Sequence, residues 1–266
     1  MAASGAARRR PETALPHASE TGAWFLVGVP WVAAMVAGRA PLAGWLLLPV
    51  LVFGILAREP IIWGLWAHRR RLPPPPAWRT GTLYGLVAVV CAVLWASSGV
   101  GAMALACAAA TATLGALDVV ARVVWSKPTA VGGIAGALAG GFIAVAVLAD
   151  AARPGAAPWV VGACLAYALG VSACAMHLFV QRVPRRAPTT PAVGLLWGWT
   201  LGAGALVMLL GLHAGGGRAA AAAAALGLVR AEMARRQPRT TAFRRLGWRE
   251  GLWLATVGAL VVALAP

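Results

Sequence analysis

The amino-acid sequence predicts an all-α, polytopic transmembrane bundle of about nine spans, and three observations carry that expectation. Apolar segments recur along the whole chain, most of them close to the length that crosses about 30 Å of hydrocarbon. Of the 23 Lys and Arg residues, 20 fall in alternate gaps between those segments. With 61% apolar and 11% charged residues and a mean hydropathy of +0.78, the chain could not present a solvated globular surface.

In chain order the expected spans are Gly22–Val36, Leu42–Ala57, Thr80–Ala96, Gly101–Ala121, Thr129–Leu148, Trp159–Val180, Val193–Leu212, Arg218–Met233 and Leu252–Leu264. Residues 1–21 read as a polar cytoplasmic tail, and 22–266 as a single transmembrane domain. No small-residue cleavage site follows the first apolar run, so it is expected to stay as an uncleaved helix. The second span is expected to end near Arg58, opening a basic, Pro-rich cytoplasmic loop over 58–79. Within that loop Pro73–Pro76 cannot continue a helix, and Ile61–Trp66 is expected along the membrane interface. Gly132, Gly136 and Gly140, four apart on the fifth span, give a smooth face for close helix contact. The eighth span is the least apolar, with eleven mostly Ala and Gly residues between Arg218 and Arg230. It is required because the basic groups on either side can share one face of the membrane only if the chain crosses twice between them.

The basic gaps hold Arg8–Arg10, Arg58–Arg79, Arg122–Lys127, Arg182–Arg186 and Arg230–Arg249, whereas the others carry only Arg39, Arg153 and Arg218. The positive-inside rule then puts the N-terminus in the cytoplasm and the C-terminus outside. It also accounts for the net charge of +16 without nucleic acid, since the arginines flank apolar spans rather than forming one patch. An anionic inner leaflet is the expected electrostatic partner. Abundant Arg, Ala and Gly beside scarce Lys suggest a GC-rich bacterial genome, hence a bacterial cytoplasmic membrane. Trp24, Trp45, Trp66, Trp78, Trp125, Trp159 and Trp248 lie near expected span ends, where indole rings anchor at the interface. Cys91, Cys107, Cys164 and Cys174 stand isolated in apolar stretches and read as small packing residues.

Acidic residues number seven, and most sit at cytoplasmic helix ends. Ionisable groups near membrane depth are costly and usually pair or face an interior. Asp118 and Arg122, four apart, share a helix face and are expected to pair. One reading makes all these groups helix-end ion pairs and snorkelling cations. A sharper reading gathers them into one cytoplasm-facing polar pocket. There Glu20, Glu59, Asp118 and His177 would be the acid–base candidates, and Arg58, Arg122 and Arg182 would hold an anionic head group. No metal site is read from the sequence, and it names no cofactor.

The stretch Glu20-Thr21-Gly22-Ala23-Trp24, followed by Pro30, resembles the N-terminal signature of the YwiC-like family of bacterial membrane proteins, with Thr21 where that signature has His. The resemblance continues in Arg58-Glu59-Pro60, His177-Leu178-Phe179-Val180 and Leu246-Gly247-Trp248-Arg249-Glu250. It implies a multi-pass membrane protein and no settled activity. A more distant architectural likeness is to UbiA-type prenyltransferases, nine-helix proteins whose sites lie at the cytoplasmic ends of helices two and six. Those places here hold Arg58-Glu59 and His177/Arg182, without the paired Asp-rich motifs that hold magnesium in that family. The functional expectation is a protein that handles a lipid or isoprenoid ligand. A small-molecule transporter and a non-enzymatic membrane assembly factor are the alternatives.

Overall fold

A computed structural model describes residues 21–39, 42–125, 130–149, 151, 157–182, 190–236 and 243–264. Among these residues there are nine α-helices and no strand: α1 (Thr21–Ala37), α2 (Leu42–Arg69), α3 (Ala77–Ser97), α4 (Ala102–Trp125), α5 (Ala130–Ala149), α6 (Pro158–Arg182), α7 (Thr190–His213), α8 (Gly217–Arg236) and α9 (Phe243–Leu264). Six of them, α2 to α7, are long and apolar enough to cross a membrane. The protein is a multi-pass helical membrane bundle. In α1 the apolar stretch Trp24–Ala37 is shorter. Helices α8 and α9 are more polar, because arginines enter the second half of one and the first half of the other.

Burial sorts the helices into a centre and a rim. The apolar windows of α5 and α6 are 67% and 72% buried, against 11% for α3 and 17% for α4. Helix α5 packs on α1, α4 and α6, and α6 packs in turn on α7, α8 and α9. The outer faces of α3 and α7 present Leu86, Val90, Val93, Leu201, Leu206 and Leu209 to the surroundings, as lipid contact requires. At one end of the bundle Gly38 stands against Ala151, and Gly216 against Val160. The opposite end carries most of the described arginines and is called the basic end below.

Close approach in the centre rests on missing side chains. Pro30 has no N–H, so α1 leaves the Leu26 carbonyl without its usual helical donor. A Cβ on Gly140 of α5 would collide with that carbonyl and crowd the Pro30 ring, so only glycine fits there. One position along, Gly141 faces Gly162 and Ala166 of α6 with the same intolerance. Of the expected glycine stripe, Gly140 makes tight contact, whereas a Cβ on Gly136 would meet nothing within 4 Å. The Trp31 indole donates to the Gly44 carbonyl at 2.9 Å and ties α1 to α2. Cys107, Cys164 and Cys174 are buried and Cys91 is half-buried.

The largest departure from expectation is in α2. The helix does not stop near Arg58 but runs through Pro60 to Arg69, about 42 Å in all. Ile61–Trp66 is therefore part of α2 rather than a separate interfacial segment. Packing of α3 explains why the proline is tolerated. Gly81 sits against the Pro60 ring, and Gly64 sits under the indole of Trp78. Past Arg69 the chain turns out of the helix at Arg71, whose φ is 56°, with the Leu72 N–H bonded back to the Ala67 carbonyl at 2.9 Å. Only residues 70–76 then remain as the Pro-rich connection. Trp78, expected as an interfacial anchor, is half-buried in helix packing, whereas Trp45, Trp125 and Trp248 are more than half exposed.

Candidate functional site

Four of the residues singled out in the sequence come together. Arg58 and Asp118 each lie sixteen residues into their helix, α2 and α4, so the two groups stand about 24 Å along parallel axes. Arg58 donates through Nε to Asp118 Oδ2 at 2.8 Å, and Arg122 donates through Nε to Asp118 Oδ1 at 3.3 Å. Glu59 Oε1 accepts from Arg58 at 3.3 Å and from Arg122 at 3.5 Å. The quartet carries two positive and two negative charges, and each carboxylate contacts both guanidinium groups. Asp118 is the most buried member, with 5% of its side chain exposed, and its shortest contact is the tightest in the cluster.

One further cation extends this seam. Arg69 Nη1 donates to the carbonyls of Val123 and Val124, at 3.1 and 2.9 Å, across to the last turn of α4. Those carbonyls end a helix and carry its negative partial charge, so a cation there satisfies both a hydrogen-bonding and a dipole requirement. Arg70 lies over the Trp66 ring at 4.2 Å. Chemically, the quartet is a neutral clamp that joins the α2–α3 pair to α4.

Two of the other three expected site residues belong to α6. His177 is half-buried on α6, a helix whose main neighbours are α1, α5, α7, α8 and α9 rather than α2 or α4. Arg182 closes α6. Glu20 lies outside the described residues. Among the described residues, no three of His, Cys, Asp and Glu stand together as metal ligands would.

A second polar cluster, deeper than the first, lies between α6, α8 and α9. Arg230, 3% exposed, donates through Nε to Glu250 Oε2 at 3.0 Å, and its second nitrogen contacts Oε1. Ser172 of α6 donates to the same Oε2 at 2.9 Å. Arg230 opens a basic gap in the sequence, yet the chain carries a signal for its burial. Ala220, Ala223, Gly227, Ala231 and Ala234 are spaced three or four apart, and Arg230 lies on their packed face. Glu250 likewise falls on the stripe Leu246, Leu254, Val257 and Val261, all of them buried. A charge on an apolar helical stripe inside a membrane bundle is the mark of a paired interior site.

Between α1 and α9 a groove of about 620 Å³ opens on the side of the bundle. Trp24, Gly28, Val32 and Val36 line one wall at four-residue steps, and Ala255, Ala259 and Val262 line the other. The α1 wall is about 18 Å long, slightly more than the hydrocarbon depth of one leaflet. Small residues hollow it out, and a Cβ placed on Gly28 would meet nothing within 4 Å. Its floor is closed where Gly258 meets Val29 and where Gly251 receives the Phe25 ring. At the basic end, Phe25 and Trp248 stand edge to face at 5.9 Å.

Comparison with family models, with curated proteins and with solved structures finds no match.

Proposed function

We propose that this membrane protein handles a lipid or isoprenoid ligand, taking its hydrocarbon chain sideways from the bilayer into the α1–α9 groove. The groove carries the reading. Its walls are apolar, its length suits a chain lying along the helices, and it opens where lipid surrounds the bundle. The basic end faces the cytoplasm in this proposal, as the arginine distribution favours. Membership of the YwiC-like type, on the sequence motifs quoted above, and a UbiA-like architecture, on the number of helices and the places of Arg58-Glu59 and His177/Arg182, belong to the same proposal. The quartet of Arg58, Glu59, Asp118 and Arg122 then serves to hold the α2–α3 pair in place, because its charges already neutralise one another.

The test is lipid retention by the purified full-length protein under native mass spectrometry. A Cβ at Gly28 meets nothing within 4 Å, so Gly28→Phe should put its ring into the groove and strip the retained lipid while leaving the fold intact. Retention equal to that of the unaltered protein would refute the proposal. A small-molecule transporter is the second reading, favoured by the interior Ser172–Arg230–Glu250 cluster. Solute uptake into reconstituted vesicles that is lost in Glu250→Gln, and unaffected by Gly28→Phe, would favour it instead.

A further inference from the structure

We infer that the α1–α9 groove selects lipids with a net negative head group, held by Arg245 and Arg249; this rests on the groove being a lipid-chain site. Arg245, Trp248, Leu252, Ala255, Ala259 and Val262 follow one another at alternating three- and four-residue steps, so they form one continuous face of α9. The last three line the groove, and Trp248 and Leu252 continue it toward the basic end at 56% and 70% exposure. Arg245 stands on the same face one turn beyond Trp248, about 4.5 Å further along the axis. Arg249 borders the face four residues from Arg245, and both arginines are exposed.

The mouth of the groove is fixed by contact between the helices. Phe25 of α1 meets Trp248 and Gly251 of α9, so Trp24 and Trp248 flank one level of the bundle. Two indoles beside a chain-sized groove, with Arg249 next to Trp248 and Arg245 one turn beyond it, follow the order of a phospholipid met from its chain outward. Hydrocarbon would lie against Gly28, Ala255 and Ala259, the ester region against the indoles, and the phosphate at the guanidinium groups.

Charge complementarity selects the occupant. Among the described residues neither Arg245 nor Arg249 has an ion-pair partner, in contrast with Arg58, Arg122, Arg230, Arg235 and Arg236. The carboxylate next to them in sequence, Glu250, is turned inward and taken by Arg230 and Ser172. The surplus at this mouth is therefore the two exposed guanidinium groups of Arg245 and Arg249. An anionic phosphodiester would neutralise that surplus, whereas a zwitterionic head would bring its own ammonium into it.

The experiment compares dioleoyl phosphatidylglycerol with dioleoyl phosphatidylcholine as probes, titrated onto the full-length protein and read by native mass spectrometry. The expected preference is about tenfold for the glycerol lipid. Arg245→Gln with Arg249→Gln should bring the ratio near one without weakening the choline lipid. The corresponding Lys pair should keep most of the preference. Arg235→Gln with Arg236→Gln removes the same charge from the same end of the bundle, away from the groove, and should leave the ratio unchanged. A preference that survives the Arg245/Arg249 change, or that falls as far with Arg235/Arg236, overturns the inference. Gly28→Phe separates the two levels. Loss of both lipids in that variant, with no head-group preference in the unaltered protein, would sink the selectivity alone. Retention of both would sink the groove reading itself.

Discussion

Removing Glu250 should be the most damaging single change to the stability of this bundle. In Glu250→Ala the Arg230 guanidinium keeps its charge and its burial, at 3% exposure, but loses the carboxylate that contacts it through two nitrogens. Stranding one partner of a buried pair costs about 3–5 kcal/mol. Ser172 loses its acceptor in the same variant, which adds to that cost. Ser172→Ala alone should cost about 1–2 kcal/mol, because Oε2 keeps its bond from Arg230 Nε. The joint replacement Arg230→Met with Glu250→Leu removes both charges and keeps the volume, so it should return to within about 1 kcal/mol of the unaltered protein. With Glu250→Leu and Arg230→Met each stranding a buried partner at about 3–5 kcal/mol when made alone, the coupling between the two positions is about 5 kcal/mol or more, far above the value for independent sites. Reversible unfolding in mixed micelles, followed by tryptophan fluorescence as the denaturing detergent is raised, reads each term. If Glu250→Ala costs less than about 1 kcal/mol, or the double replacement equals the sum of the singles, the pair is not a buried, mutually dependent unit.

Other outcomes follow from the same geometry. Asp118→Ala should destabilise by about 2–4 kcal/mol and Glu59→Ala by about 1 kcal/mol, since Asp118 is more buried and holds the shorter contacts; the same unfolding measurement would show a reversed order if the quartet were misread. Gly140→Val should cost about 1–3 kcal/mol or more by forcing α5 away from the Leu26 carbonyl. Gly64→Val should do likewise against Trp78, while Gly136→Ala and Gly198→Ala, which meet open space, should stay within about 0.5 kcal/mol. Equal effects at the tight and the open glycines would count against the packing described for α5 and α2.

Much of this fold could be read from the sequence because a membrane forces the issue. A span must be apolar over its length, and that left visible traces in α3 to α7, whose expected and observed limits nearly coincide. The misjudged ends have specific causes. Pro60 and the charges before it looked like a stop for α2, but the stop is overridden by Gly64 and Gly81, whose missing side chains let α3 pack against the region. At α9 the arginines look like loop, yet Phe243 to Arg249 is helical, with Arg245 and Arg249 exposed. The i,i+4 partnership of Asp118 and Arg122 was visible because it lies within one helix. Arg58 and Glu59 joining it depends on α2 and α4 lying side by side, which nothing local in the chain specifies. The Ser172–Arg230–Glu250 cluster draws on three helices and was hidden for the same reason, although Arg230 and Glu250 each broke an otherwise apolar or small-residue stripe. The groove was the least legible feature, since small residues at Gly28 and Ala255 could equally have been filled by a neighbouring helix.

The lateral chain site is tested most directly by where a lipid touches the protein. A phospholipid carrying a photoreactive group on its acyl chain, incorporated with the full-length chain into bilayer discs, would be cross-linked and the sites mapped by mass spectrometry. Labelling is expected to concentrate at Val32, Val36 and Ala259 of the α1–α9 groove, well above that at Leu86 and Val90 on the open face of α3. Labelling spread evenly over the exposed apolar faces, or absent from the groove, would contradict a lateral chain site.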